Sequence, residues 1–204
     1  MGRRADHLTK GVLFDLDGTL TYPGAIDFPA VKREMNCPRD RPILEFLETL
    51  PSNRRVRLME ILERKEEEAA DRSVSNEGAE RCLAVLKREG ILFGIITRNS
   101  LSSVTRVLSG FETISASDFA VVITRDDACP KPHPAGVLEA ARRLNLAPHE
   151  LMVVGDFRFD VIAGKRAGAI AVLLTNNGEP AMEPGDPEPD YVVSRLEEIL
   201  EIVL

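Results

Sequence analysis

The chain has 204 residues and a net charge of −7, with 44% hydrophobic and 29% charged residues. This composition excludes disordered and fibrous proteins, and the length fits one core domain with a modest insertion. The acidic balance argues against a nucleic-acid partner, and no apolar run in the sequence is long enough to span a bilayer.

The first predicted element is a strand that ends in a pair of aspartates. Residues 12–16 are almost continuously apolar, which is typical of a central parallel strand, and Gly18 and Thr19 end the run. Alternate residues of a strand share a face, so Asp15 and Asp17 point the same way. Two like charges so close together need a compensating cation. The alternative is that the Asp-Gly step is only turn chemistry.

The second predicted unit is a helical insertion that separates the first strand from the next, which begins near Ile91. Capping residues and an apolar stripe along its longest segment predict three helices. We assign residues 21–75 to this small α-helical cap, and residues 1–20 and 76–204 to the core. The charged residues 64–68 are interpreted as a solvated helix face. The predicted helix caps are Asp27, Asp40 and Ser52.

After the cap, predicted helices and strands alternate to the end of the chain. Such alternation is typical of an α/β fold with a doubly wound parallel sheet, because crossover helices join consecutive parallel strands. The later predicted strands cover residues 91–96, 120–124, 151–155, 169–174 and 191–193. The predicted helices begin at Ser75, Ser100, Pro134, Phe159 and Ser194, and the last is expected to run as one amphipathic helix to Leu204.

Polar side chains stand at the ends of three of these later strands. Parallel strands gather their carboxyl ends at one edge of the sheet, where ligands bind, so we expect these side chains to meet Asp15 and Asp17. Together, carboxylates, a hydroxyl and a lysine predict a chemical site rather than a turn. Thr97, Arg98 and Asn99 follow the second strand, Lys131 follows the third, and Asp156 and Asp160 follow the fourth.

These four segments resemble the four motifs of the haloacid dehalogenase-type (HAD) hydrolase superfamily, in its phosphatase branch with a helical cap after the first motif. The resemblance covers nearly all of the chain and is most specific in Asp-Leu-Asp-Gly-Thr-Leu at residues 15–20. It implies a Rossmann-like core and an enzyme similar to phosphoglycolate phosphatases. Two positions depart from the family pattern. Residues 21–23 replace a frequent aspartate-serine pair, and Phe157 replaces a small polar residue.

The resemblance also implies catalytic roles for individual residues. Asp15 is the expected nucleophile, which forms an aspartyl-phosphate, and Asp17 is the expected general acid and base. Thr97 would hydrogen-bond the transferring phosphoryl group, and Lys131 would neutralise its charge and anchor Asp15. The expected substrate contacts are Thr97, Arg98, Asn99 and Lys131.

A divalent cation is implied by the same resemblance. Phosphoryl transfer concentrates negative charge, and oxygen ligands with retained waters suit Mg²⁺. Asp15 and Asp156 would supply carboxylate oxygens, and Asp17 would supply its main-chain carbonyl. Asp160 would hold the Mg²⁺ shell or coordinate the ion through water.

Three other functions share part of this pattern. A phosphomutase would use the same residues but pass the phosphoryl group to a sugar hydroxyl. A dehalogenase would need neither Asp17 nor the metal pair, so the chain argues against it. A receiver-type signalling module would carry a phosphorylated aspartate, a hydroxyl and a lysine, but it would lack Asp17 and the insertion. We therefore expect a Mg²⁺-dependent phosphatase whose partner is a small phosphorylated metabolite that the sequence does not identify.

Cysteine usage and the first residues bear on the cellular compartment. The three cysteines are too widely spaced for a metal-binding pair and odd in number for a disulfide framework. Residues 1–6 lack the apolar stretch of a secretory signal. We expect a cytoplasmic protein with no membrane partner, and the sequence leaves its oligomeric state open.

Overall fold

The computed structural model describes residues 9–204, so the part of the predicted core within residues 1–8, and the expectation about a signal there, lie outside the described residues. Six strands form one sheet: β1 (Gly11–Phe14), β2 (Leu92–Ile96), β3 (Val121–Ile123), β4 (Leu151–Gly155), β5 (Ile170–Leu174) and β6 (Tyr191–Val193). All neighbouring strands are parallel, in the order β3-β2-β1-β4-β5-β6. The first strand therefore lies inside the sheet, and the doubly wound α/β fold predicted from the alternation is confirmed.

Helices cover both faces of this sheet. They are α1 (Phe28–Glu34), α2 (Ile43–Glu48), α3 (Ser52–Ala70), α4 (Ala79–Arg88), α5 (Leu101–Ser109), α6 (Ala135–Leu144), α7 (Arg158–Ala167) and α8 (Leu200–Val203). The central strand shows the arrangement, because Val12 and Phe14 share a core cluster with α4 and α5, whereas Leu13 belongs to the cluster of α6 and α7. Alternate residues thus face opposite layers, which explains why this strand is apolar throughout.

The helices α1, α2 and α3 form a separate unit inserted after β1. Val31, Met35, Leu47 and Leu62 are buried in a cluster of their own, apart from the two clusters that flank the sheet. The chain leaves and re-enters the core at adjacent positions, since Thr21 and Ser75 form an antiparallel bridge. Three helices that share their own hydrophobic core, and that join the rest of the chain through two adjacent segments, are the arrangement expected of a cap.

Some predicted helix boundaries were wrong. The helix α4 begins at Ala79 and not at Ser75, because Ser75 is used in the bridge that closes the insertion. The helix α2 begins after Pro42 and not at Asp40. The predicted final helix is instead a 3-10 turn, Leu196–Ile199, followed by α8. The Glu198 carboxylate caps the start of the turn by accepting from the backbone N–H of Arg195 at 3.2 Å. Across residues 9–204, every helix is too short or too polar to cross a membrane.

Candidate active site

The strand ends carry the predicted site residues to one edge of the sheet. In the parallel register Phe14 pairs with Ile95 on one side and with Val154 on the other, so β1, β2 and β4 end at nearly the same level. The residues just beyond these ends are brought together by the register and not by proximity in the sequence. Asp15 follows β1, Thr97 follows β2, Asp156 follows β4, and Asp160 lies in the first turn of α7.

An acidic cluster with a buried lysine forms the centre of this edge. Carboxylate oxygens of Asp15, Asp156 and Asp160 all lie within 4.8 Å of one another. The Nζ atom of Lys131 lies 2.7 Å from Asp15 Oδ1 and 2.5 Å from Asp160 Oδ1. Lys131 is only 2% exposed, so these contacts are shielded from water and correspondingly strong.

The electrostatics of the cluster fit a bound divalent cation. Burial, followed by the neighbouring carboxylates of Asp15 and Asp160, raises the pKa of Asp156 to about 8. Burial raises the pKa of Asp160 to about 6 even though Lys131 opposes the shift. Among the described residues, the single ammonium group of Lys131 therefore does not neutralise the negative charge of these three neighbouring carboxylates. Hard oxygen donors in this number are the ligands that Mg²⁺ prefers.

Close packing in the loop after β1 requires glycine at one position. Gly18 has a φ of +76°, and a Cβ there would collide with the Asp156 carboxylate. Residues Leu16–Leu20 form a kinked helical turn around this glycine. The turn brings the backbone of the first motif directly against the carboxylate supplied by β4, which a side chain would prevent.

We expect Gly18→Ala to weaken Mg²⁺ binding by about ten- to a hundredfold, because displacing the groups that orient metal ligands typically has effects of this size. Titration calorimetry of the purified variant measures the affinity. Gly90→Ala is the matched control, since Gly90 has a φ of +72° but a Cβ added there would meet no atom within 4 Å. Equal affinities in the two variants would show that the close contact between Gly18 and Asp156 does not affect Mg²⁺ binding.

The second carboxylate of the first motif has a different environment. Asp17 Oδ2 accepts a hydrogen bond of 2.6 Å from Asn99 Nδ2. Burial, and then repulsion from Asp15, raises the pKa of Asp17 to about 6. A carboxyl group that gains and loses a proton near neutral pH suits general acid and base work. The structure therefore directs the Asn99 side chain at Asp17, whereas the sequence assigned it to substrate.

The other residues after β2 are held by the core and by the cap. Thr97 is buried, and its Oγ1 accepts from the backbone N–H of Asn99 at 3.1 Å. The Arg98 guanidinium donates to both carboxylate oxygens of Glu45 on α2, at 2.7 and 3.0 Å, and also to the backbone carbonyl of Lys131. Arg98 thus connects the strand-end loop to the cap.

Two asparagines that the sequence analysis did not single out form hydrogen bonds with the loop after β1. Asn176, just beyond β5, donates to the carbonyl of Gly18 at 2.7 Å. Asn76, where the chain re-enters the core, donates to the carbonyl of Thr19 and to Asn176 Oδ1, both at 2.9 Å. The signal that could have found Asn176 is its place after a strand, at the same carboxyl edge as the other site residues.

The interpretation of residues 64–68 as a solvated face is wrong for Glu66. Its side chain is 4% exposed, and its carboxylate oxygens lie 2.7 and 2.8 Å from Arg125 Nη1 in the loop after β3. Burial raises the pKa of Glu66 to about 7 against the effect of Arg125. This ion pair fastens α3 of the cap to the core, and no local charge pattern distinguishes Glu66 from its exposed neighbours.

Comparisons with known proteins agree with this geometry. A family model described as haloacid dehalogenase-like hydrolase matches residues 9–168. An uncharacterized hydrolase of Saccharomyces cerevisiae is 32% identical over 95% of this chain and 90% of its own. A putative pyrophosphatase of Clostridium perfringens is 27% identical over 96% and 98%.

A solved structure also shares the fold. The crystal structure of a predicted phosphoglycolate phosphatase from Haemophilus somnus superposes with a TM-score of 0.75 at 20% identity, covering 97% of this chain and 99% of the other. The family model spans most of the chain, and the doubly wound sheet with its strand-end carboxylates is the structure that the resemblance implies. The chain belongs to the haloacid dehalogenase-like hydrolases.

Proposed function

We propose that this enzyme is a Mg²⁺-dependent phosphatase that hydrolyses a small phosphomonoester through an aspartyl-phosphate on Asp15. The observation that carries the proposal is the convergence of carboxylate oxygens of Asp15, Asp156 and Asp160, with the Nζ atom of Lys131 in contact with Asp15 and Asp160. The cluster supplies a nucleophile and ligands for a cation, and Lys131 supplies a fixed positive charge. A phosphoryl-transfer site needs these components.

In the first half-reaction a carboxylate oxygen of Asp15 attacks phosphorus, and the bond to the leaving oxygen breaks. Asp17 gives its proton to that oxygen, which departs as an alcohol. In the second half-reaction Asp17 removes a proton from water. The resulting attack on phosphorus breaks the bond to Asp15, releases inorganic phosphate and restores both carboxyl groups. The hydrogen bond from Asn99 supports this role by fixing the orientation of Asp17.

The remaining groups bind and neutralise the transferring phosphoryl group. Lys131 holds Asp15 in position and offsets its charge, and Thr97 would donate its hydroxyl hydrogen to a phosphoryl oxygen. Asp15 and Asp156, with the carbonyl of Asp17 and the support of Asp160, would hold Mg²⁺. When bound, Mg²⁺ neutralises charge on the phosphoryl oxygens and lets the carboxylates remain ionised side by side.

We assign substrate selection to the cap, residues 21–75, and the chemistry to the remainder of the chain. The separate hydrophobic cluster of α1, α2 and α3 supports this division. The substrate would be a small phosphorylated metabolite, and the enzyme would act in the cytoplasm. A phosphomutase would use the same core residues, and it is distinguished by an isomeric phosphate ester as product in place of free inorganic phosphate.

We expect the purified protein to release phosphate from a generic aryl phosphate in the presence of Mg²⁺ and to lose this activity in excess chelator. With and without chelator, the assay measures release of the phenolate and of inorganic phosphate. Restoring Mg²⁺ after chelation should recover the rate, which separates metal removal from unfolding. Hydrolysis that persists in the chelator would contradict the assignment of the acidic cluster to a metal ion.

A further inference from the structure

An ion pair crosses the boundary between the cap and the core beside the proposed reaction centre. Arg98 is bound by both oxygens of Glu45, at 2.7 and 3.0 Å. Its guanidinium carbon also lies 5.1 Å from the centre of the Phe159 ring. Two hydrogen bonds to one carboxylate and a stacked aromatic face fix the guanidinium group in place.

The position of this pair relates it to the leaving group. Arg98 lies between Thr97 and Asn99 in sequence, and Asn99 contacts Asp17, the group that would protonate the leaving oxygen. Arg98 also donates to the carbonyl of Lys131, whose side chain contacts the nucleophile. Glu45 lies on α2 of the cap, so a leaving group that extends from Asp17 towards the cap would come close to Arg98 and Glu45.

A second arginine that joins the core to the cap is also neutralised. Arg125 is 4% exposed and paired with Glu66, and it lies 3.5 Å from Glu63. Among the described residues, each of these two core arginines thus forms an ion pair with a carboxylate of the cap. An anionic leaving group would meet Glu45 and Asp17 without either guanidinium being free to bind it.

We propose that Glu45 is a specificity residue that excludes anionic leaving groups, so the preferred substrates are phosphomonoesters of uncharged alcohols. This inference rests on the proposed phosphatase function. It predicts that this enzyme prefers other substrates than those in the names of two similar proteins, a putative pyrophosphatase and a predicted phosphoglycolate phosphatase. The leaving group of phosphoglycolate carries a carboxylate, and the leaving group of pyrophosphate is phosphate, so both leaving groups are anionic. Like charges placed together at a recognition site are a common way to reject the wrong partner.

The test compares two esters that differ mainly in charge, phosphoglycolate and 2-hydroxyethyl phosphate. The wild-type enzyme should have the higher kcat/KM for 2-hydroxyethyl phosphate. Glu45→Gln removes the negative charge but keeps an amide of similar size, and it should raise the ratio of kcat/KM for phosphoglycolate over 2-hydroxyethyl phosphate about tenfold, the scale of one charge-assisted contact. Glu34→Gln is the control, because Glu34 pairs with Arg64 on the exposed side of the cap, and it should leave the ratio unchanged.

The outcomes separate this inference from the proposed function. All three proteins are first assayed on a neutral aryl phosphate with Mg²⁺, and absence of hydrolysis by wild type there would overturn the phosphatase assignment itself. If the aryl ester is hydrolysed but wild type prefers phosphoglycolate, or if Glu45→Gln leaves the ratio unchanged, the charge-exclusion role of Glu45 is overturned alone. Thermal unfolding of each variant verifies that it is folded, which the partial exposure of Glu45 favours.

Discussion

Asp15→Asn should abolish formation of the phosphoenzyme and lower kcat by about 10⁴-fold or more, the scale on which removal of a nucleophile acts. An amide is a poor nucleophile, so the bond to phosphorus does not form. The variant should stay folded, because the amide oxygen of asparagine can still accept from Lys131, which lies 2.7 Å from Asp15 Oδ1. Rapid acid quench with a ³²P-labelled ester measures the covalent intermediate directly.

Asp17→Asn is the matched comparison, since it changes the other carboxylate of the same loop. It should lower turnover by about 10²- to 10⁴-fold, the usual contribution of general acid and base catalysis. Labelled phosphoenzyme should still appear with an aryl phosphate, whose leaving group needs little protonation. Near wild-type turnover by Asp15→Asn would require another nucleophile, and loss of the label in both variants would leave the two roles unseparated and contradict our division of labour.

The convergence of the proposed site residues was predictable because these residues follow a regular feature of the fold. Asp15, Asp156 and Lys131 each follow a buried strand, and parallel strands in register bring such positions together. Hydrophobic periodicity and the order of the strands along the chain can be read directly from the sequence. The same reasoning predicted the sheet and the helical insertion between its first two strands.

The contacts that join the cap to the core were not predictable in this way. Glu66 and Arg125 are 59 residues apart, and Glu45 and Arg98 are 53 apart, so each pair depends on how two separate units are placed. A run of charged residues does not reveal which side chain turns inward once a second surface covers the helix. Asn76 and Asn176 pose the same difficulty, since their side chains meet only because the chain returns from the insertion beside the end of β5.

The surroundings of Lys131 lead to the second large effect, which concerns stability as well as catalysis. Lys131 is 2% exposed and lies within 2.7 Å of both Asp15 and Asp160. Although burial opposes it, these two carboxylates raise the pKa of Lys131 above its usual value, so the ammonium is charged throughout the neutral range. Lys131 therefore supplies a positive charge that neutralises part of the negative charge of the acidic cluster.

Lys131→Met should lower the free energy of unfolding by about 3–5 kcal/mol in the absence of Mg²⁺, because removing one member of a buried ion pair leaves uncompensated charge. Added Mg²⁺ should recover more stability in this variant than in wild type, since a ligand that binds the folded state stabilises it and here also replaces a lost positive charge. Denaturant unfolding with and without Mg²⁺ measures both effects. Phosphatase activity should fall as well, because Asp15 loses its anchor and the phosphoryl group loses a cation.

Lys165→Met is the control for loss of a lysine-carboxylate contact at the surface. Lys165 lies 2.6 Å from Asp190 with both side chains about one-third exposed, and such pairs contribute about 0–1 kcal/mol. Its unfolding should respond to Mg²⁺ as wild type does. If Lys131→Met were no less stable than this control, or if Mg²⁺ gave it no additional protection, then Lys131 would not be the charge that balances the acidic cluster.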